Sequence, residues 1–201
     1  FKAAEKKGTR FGGFKPYFDL LGKSNYQTEL SEILPEELLE LANSEHLIIM
    51  LHTTGEGMRD AANQEFLARV LEKYRDVRIV LAHMGRYIRA EQFYDFVDNR
   101  TDILSNPNIF LDISSCTEPA VFRRAFSVKG MDKKLLFGSD IPYGLITGIE
   151  HWSQTAGPTF VTRDNYSWSD AEVNSRFSEL RKRLTYNIYH VIKALKDAIE
   201  S

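Results

Sequence analysis

The stretch that decides the fold is Val77-Arg78-Ile79-Val80-Leu81-Ala82-His83, an almost continuous apolar run that ends on a histidine. So little alternation over this length is typical of a strand buried on both faces, as in a parallel sheet. Four further aliphatic segments occur along the chain, at residues 12–15, 47–52, 109–114 and 135–140. The chain therefore carries five candidate strands of a parallel α/β fold.

Helical patterns separate these strands. Apolar residues recur at helical spacing around residues 35–42, 66–74, 93–97 and 121–126,. The strand ends lie roughly 26 to 37 residues apart, which matches a chain of βα units. We predict one domain over residues 1–201, in which 142–171 form a long loop or cap and 172–199 form a C-terminal helix.

Composition excludes several classes of partner. Lys and Arg total 26 against 28 Asp and Glu, a net charge of −2, so we expect no binding of nucleic acid or of an anionic membrane,. No apolar run is long enough to span a bilayer. The single cysteine, Cys116, rules out an intramolecular disulfide and predicts a cytoplasmic protein,.

Residues capable of chemistry end four of the five strands: Lys15, His52, His83 and Asp140. In parallel α/β proteins, catalytic groups and ligands collect at the carboxyl ends of the strands. Imidazole and carboxylate groups are good ligands for Zn²⁺ or a similar divalent ion. Each residue also has a purely structural alternative, such as a helix cap for Asp140 or an ion pair for Lys15. Asp112 is either a partner for an imidazole or the counter-ion of a neighbouring cation.

Several motifs in order resemble the amidohydrolase superfamily, in its amidohydrolase-2 branch of metal-dependent (β/α)8 TIM barrels. The resemblance rests on Met50-Leu51-His52-Thr53, on Ile79-Val80-Leu81-Ala82-His83-Met84-Gly85 and on Leu136-Phe137-Gly138-Ser139-Asp140-Ile141-Pro142. Residues 108–114 are similar to the family's seventh strand, and 183–188 to its C-terminal helix. In this reading the chain holds strands four to eight, a partial barrel, followed by the C-terminal helix.

The resemblance implies a role for each strand-end residue. His52 and Asp140 are the implied metal ligands, with zinc the expected ion and manganese the alternative. Asp140 also acts as the base that handles the proton of water. His83 is a second ligand in binuclear members, and otherwise orients or polarises the substrate. Lys15 is implied as an unmodified residue on the substrate side, and Arg86 as a clamp for a substrate carboxylate.

The family's strand-one His-x-His pair has no counterpart in the sequence. No two histidines are separated by a single residue. The sequence has five: His46, His52, His83, His151 and His190. We therefore expect the first three βα units of the barrel to lie outside this chain. Five strands leave two open edges, which invite a homo-oligomer or pairing with the missing N-terminal segment.

The predicted function is hydrolysis of an amide, ester or lactone of a small, carboxylate-bearing molecule by a metal-dependent enzyme. One alternative is non-oxidative decarboxylation of an aromatic or unsaturated acid on the same barrel. Another is a non-catalytic α/β binding or assembly module, which the absent His-x-His pair favours. An unrelated open α/β fold predicts instead that His52, His83 and Asp140 do not converge.

Overall fold

A parallel sheet of five strands forms the centre of the computed structural model, which describes residues 6–201. The strands are β1 (Gly13–Phe14), β2 (Ile48–Leu51), β3 (Arg78–Leu81), β4 (Ile109–Asp112) and β5 (Leu135–Leu136). They pair in chain order, each with the next. This order without a reversal is the winding of a (β/α) barrel rather than of a doubly wound sheet. The predicted parallel α/β fold and partial barrel are confirmed, and the five described strands do not close into a barrel.

Helices connect the strands as the apolar periodicity predicts. The described α-helices are α1 (Leu30–Ile33), α2 (Glu36–Ser44), α3 (Ala61–Lys73), α4 (Ala90–Asn99), α5 (Thr101–Ser105), α6 (Pro119–Phe126), α7 (Ala171–Arg176), α8 (Ser178–Arg181) and α9 (Asn187–Ile199). Their starts have local causes. The carboxylate of Asp60 accepts the backbone N–H of Ala62 at 2.9 Å and caps α3, and Pro119 occupies the first turn of α6,. No helix within residues 6–201 is long and apolar enough to cross a membrane.

The core lies between one face of the sheet and the helices. Ile49 and Leu51 of β2 are fully buried, and Leu67 of α3 and Phe122 of α6 pack into the same core. The opposite face of β2 is only partly covered, since Ile48 is 39% exposed. Unlike the strand expected at residues 77–83, β2 is therefore buried on one face only. In a closed barrel the remaining strands would cover that inner face.

Residues 142–171, expected as a loop or cap, contain regular structure. An antiparallel hairpin is formed by β6 (Gly148–Ser153) and β7 (Gly157–Thr162). Because its strands do not alternate cleanly between apolar and polar residues, the sequence pattern does not predict them. Buried amides hold the hairpin in place. Asn174 bonds both the backbone N–H and the hydroxyl of Thr162, and Asn187 donates to the carbonyl of Gly148.

The predicted helix over residues 172–199 is also wrong as a single element. It is divided into α7, α8 and α9, with an irregular segment between Arg181 and Asn187. Two hydrogen bonds explain the interruption. The backbone N–H of Asn187 donates to the carbonyl of Ile146 at 2.8 Å, and that of Thr185 donates to Nε2 of His190 at 3.0 Å. Because these bonds tie the chain to the segment before the hairpin and to a side chain, they replace the helical ladder there.

Candidate functional site

A cavity of about 940 Å³ opens at the carboxyl ends of the strands. Its floor comes from the residues that follow the strands, among them His52, His83 and Asp140. The β6–β7 hairpin forms another wall, with Glu150 and Trp152 among its lining residues. The volume falls within the usual range for small-molecule sites. The three strand-end residues therefore line one cavity, at the edge of the sheet where a (β/α) barrel carries its site,.

His52 and His83 lie side by side on the cavity floor. Their ring centroids are 5.3 Å apart, and the rings meet edge to face at 79°. Burial is the main cause that lowers the pKa of His52 from 6.5 to about 3, and the charge of Arg86 adds to it. His52 is therefore neutral at physiological pH. Within the described residues, its Nδ1 is buried without a hydrogen-bond partner.

An unusual turn carries His83 into the cavity. His83, Met84, Gly85 and Arg86 all have φ between 54° and 83°, in the left-handed region. Non-glycine residues adopt this conformation only when their surroundings hold them there, and such turns concentrate at functional sites. The hydroxyl of Thr53 holds this turn by donating to the carbonyl of Gly85 at 3.1 Å. The strained backbone of this turn thus sets the direction in which the side chains of His83 and Arg86 point.

The other side of the His83 ring faces the end of β4. Ser114 Oγ lies 2.9 Å from His83 Nδ1, and the carboxylate of Asp112 accepts a hydrogen bond from the Ser114 hydroxyl. Asp112 is therefore linked to the imidazole through Ser114 rather than directly. The backbone of Gly138 lies against this carboxylate, since a Cβ there would come within 2.0 Å of Oδ1.

Two carboxylates line the cavity from different segments of the chain. Asp140 lies four residues beyond the end of β5, in the left-handed region with φ 49°. Glu150 comes from β6 and stays open to the cavity, although the surrounding walls limit its contact with water. This desolvation raises the pKa of Glu150, while the nearby charges of His83 and Arg86 act in the opposite direction.

The two predicted substrate-binding cations occupy different positions. Arg86 lines the cavity, and its Nη1 donates to the carbonyl of Thr53 at 2.6 Å and to Oδ1 of Asn25 at 3.0 Å. Its guanidinium is thus fixed against the wall. Lys15 is exposed and is not among the residues that line the cavity. Its Nζ lies 5.1 Å from the ring centroid of Tyr17, which does line it. Lys15 is therefore a residue of the rim.

Sequence reasoning missed Ser114 and Glu150 as site residues. Ser114 had a usable signal, because residues two apart at the end of a strand point the same way and Asp112 was already a candidate. Glu150 had none, since the hairpin that carries it was not recognised. Arg89, whose Cζ lies 5.1 Å from the ring centroid of Trp152, was not predicted as a site residue either.

Comparison with known proteins identifies the family of this chain. A model of the amidohydrolase family matches residues 2–156, more than half of the chain. The chain belongs to the amidohydrolase family. A solved structure, amidohydrolase 2 from Bifidobacterium longum subsp. infantis, is similar to this amidohydrolase chain with a TM-score of 0.41 and 18% identity. The similarity covers 54% of this chain and 42% of that protein, less than half its length. A comparison with curated proteins found no match.

A metal ion in the cavity of this amidohydrolase chain would need several nitrogen, sulfur or oxygen ligands. His52 is neutral and has a buried, unpartnered ring nitrogen, which is the state of a metal-binding imidazole,. Over residues 6–201, however, no group of three His, Cys, Asp or Glu residues is placed to hold an ion. Structural and catalytic zinc sites use at least three protein ligands. The described residues thus include one imidazole suited to a metal ion, but they do not by themselves form a metal site.

Proposed function

We propose that this chain carries the catalytic cavity of a hydrolase that acts on an amide, ester or lactone bond of a small, carboxylate-bearing molecule. The observation that supports it best is that His52, His83 and Asp140, from three separate segments of the chain, line one cavity together with Arg86. A fixed guanidinium beside proton-accepting groups suits a substrate with a carboxylate near the bond to be broken.

The proposed chemistry is the addition of water to a carbonyl carbon. Asp140 or His83 takes the proton from the attacking water, the C–N or C–O bond breaks, and the leaving nitrogen or oxygen receives that proton. Arg86 pairs with the substrate carboxylate and so fixes the carbonyl relative to these groups. The two candidate proton acceptors lie on different segments of the chain, and both line the cavity.

We further propose that His52 and Asp140 supply two ligands to a zinc ion, with manganese as the alternative. The remaining ligands then come from outside residues 6–201. Such an ion would supply a Lewis acid at the cavity floor. Metal content per chain tests this part. The wild type is expected to hold about one ion when the missing ligands are supplied, and His52→Ala to hold none.

The free edges of β1 and β5 support a proposal about assembly. Within residues 6–201, each of these strands pairs with one neighbour only, and Phe137 and Ile141 beyond β5 are more than 60% exposed. Open edges beside exposed apolar side chains favour association. We propose that a second copy of the chain, or a segment containing the other barrel units, covers them. The molar mass in solution by light scattering separates a homo-oligomer from a monomer.

Turnover of a substrate panel tests the catalytic proposal. Small amides, esters and lactones with a free carboxylate are incubated with the chain and added Zn²⁺ or Mn²⁺, and products are identified by chromatography. We expect hydrolysis that falls at least about 100-fold in His83→Asn and is unchanged in His46→Asn. The control is matched, because His46 is exposed and also has a positive φ of 53°. Release of CO₂ instead would establish the decarboxylase, and binding without turnover the non-catalytic module.

A further inference from the structure

The end of β4 presents two polar residues to the imidazole of His83. Asp112 and Ser114 are 5% and 2% exposed. One oxygen of Asp112 accepts hydrogen bonds from the Ser114 hydroxyl and, at 3.4 Å, from the backbone N–H of His83. The other oxygen accepts the backbone N–H of Ser114 at 3.3 Å. Three donors thus converge on a single buried carboxylate.

Counting protons in this cluster fixes the direction of each hydrogen bond. A serine hydroxyl has one hydrogen, and that of Ser114 is directed to Asp112,. Toward Nδ1 of His83, at 2.9 Å, Ser114 Oγ can therefore only accept. The second group near Nδ1 is the carbonyl oxygen of Ser114 at 3.3 Å, which is also an acceptor. With two acceptors beside it, Nδ1 has to carry the hydrogen.

We propose that Asp112 and Ser114 are positioning residues that hold neutral His83 as its Nδ1–H tautomer. Nε2 then keeps its lone pair for the cavity that His83 lines. The inference rests on the proposed function and assigns the part that His83 plays in it. An unprotonated Nε2 cannot donate to a substrate carbonyl, so His83 does not polarise the substrate in this state. It accepts a proton from water, and the resulting imidazolium returns that proton from Nε2 to the leaving group.

Asp112 supports this arrangement at two levels. Through Ser114 it orders the ring, and through its bond to the His83 backbone it helps to hold the left-handed turn. Partners of this kind lie outside the reacting atoms, and their loss typically lowers activity by about 10- to 100-fold. Because the substrate does not contact them, the loss is expected in kcat with KM little changed.

The tautomer itself is measurable without substrate or metal. Long-range ¹H–¹⁵N spectra of the ¹⁵N-labelled chain are recorded after chelation at about pH 8, where unperturbed imidazoles are neutral. The His83 signals are identified by their loss in His83→Asn. We expect Nδ1 to be the protonated nitrogen in the wild type. In Ser114→Ala the Nδ1–H population is expected to fall, because one of the two acceptors is gone. Ser115→Ala, the same substitution at the adjacent residue, is expected to keep the wild-type tautomer.

A wild-type His83 protonated mainly on Nε2 overturns the proposal, as does a Ser114→Ala protein with the wild-type tautomer ratio. Asp112→Asn is a second variant, in which the new amide N–H₂ competes for the Ser114 oxygen and the tautomer ratio is expected to move as well. If the Asp112→Asn protein does not fold, Ser114→Ala alone still decides the test. Because the spectra need no turnover, a failed hydrolase assay with an Nδ1–H tautomer refutes the proposed reaction and leaves the positioning of His83 intact.

Discussion

The imidazoles of His52 and His83 meet edge to face with their centroids 5.3 Å apart, although 31 positions separate them in the chain. Sheet register explains the contact. Leu51 of β2 pairs with Leu81 of β3, and each histidine follows its strand within two residues. Parallel strands end at the same edge of a sheet, so side chains just beyond them share one space. Burial is the main cause that lowers the pKa of His52, and the nearby charges of Arg86 and His83 add to it.

The stability of the metal-free protein is expected to fall on acidification because of His52. Its pKa is about 3 in the folded chain, mainly through burial, against 6.5 as the ordinary value. Between these values the unfolded state binds a proton that the folded state does not. The His52 contribution to the free energy of unfolding is therefore full above about pH 6.5 and is lost at about 1.4 kcal/mol per pH unit as the pH falls toward 3.

Urea denaturation at several pH values between 7 and 4.5 measures this effect. His52→Gln removes the titrating group, so its free energy of unfolding is expected to depend less on pH than that of the wild type. His46→Gln changes an exposed histidine and is expected to keep the wild-type slope. Equal slopes for His52→Gln and the wild type would show that the imidazole is not buried in its neutral form.

Gly138→Ala is expected to disturb the Asp112–Ser114–His83 cluster. Its Cβ would lie 2.0 Å from Oδ1 of Asp112, so the carboxylate has to move. Overpacking of this kind costs about 1–3 kcal/mol of unfolding free energy. Thermal and urea unfolding measure that loss. Gly12→Ala is the matched control, because a Cβ at Gly12 meets no atom within 4 Å. A Gly138→Ala protein as stable as that control would contradict the packing around Asp112.

Arg86→Lys is expected to weaken the binding of carboxylate substrates. Nη1 of Arg86 is held by Thr53 and Asn25 while the residue lines the cavity, and a lysine ammonium cannot reproduce that fork,. We expect KM to rise about 10-fold or more for a substrate with a carboxylate and to change little for its neutral carboxamide. Arg59→Lys, at an exposed surface arginine, serves as the control. Equal effects on both substrates would remove Arg86 from carboxylate recognition.

Cys116 is expected to resist thiol reagents in the folded protein. It is 1% exposed, and burial raises its pKa to about 12 despite the hydrogen bond from the Tyr87 hydroxyl. At pH 8 the group is therefore a buried thiol rather than a thiolate. Labelling with a chromogenic disulfide is expected to proceed only in denaturant, where the single cysteine reacts. Rapid labelling in native buffer would contradict this packing.

The sequence predicts the sheet well, because short continuous apolar runs between segments of helical periodicity are typical of buried parallel strands. It also places His52, His83 and Asp140 at one edge of the sheet, because the position of each strand determines which residues follow its carboxyl end. It could not give the hairpin, whose partners are buried amides at Asn174 and Asn187 that carry no periodic signal.

The link through Ser114 was equally hidden from the sequence. Strand periodicity places Asp112 and Ser114 on one side of the chain, but the choice of hydrogen-bond partner depends on the turn at His83. That turn is a backbone conformation that non-glycine residues rarely adopt, so residue type gives no warning of it. Tertiary contacts rather than local preference decide this part of the site.

The most direct test of a shared site is a titration of the histidine ring signals with benzoate, a small carboxylate, followed by NMR. If His52, His83 and Arg86 line one binding cavity, the ring signals of His52 and His83 are expected to shift along one common binding curve. Those of His46 and His190 are expected to stay fixed, because neither residue lines the cavity. Arg86→Lys is expected to weaken both curves equally. Unmoved His52 and His83 signals, or two curves with different dissociation constants, would contradict the account of one functional site.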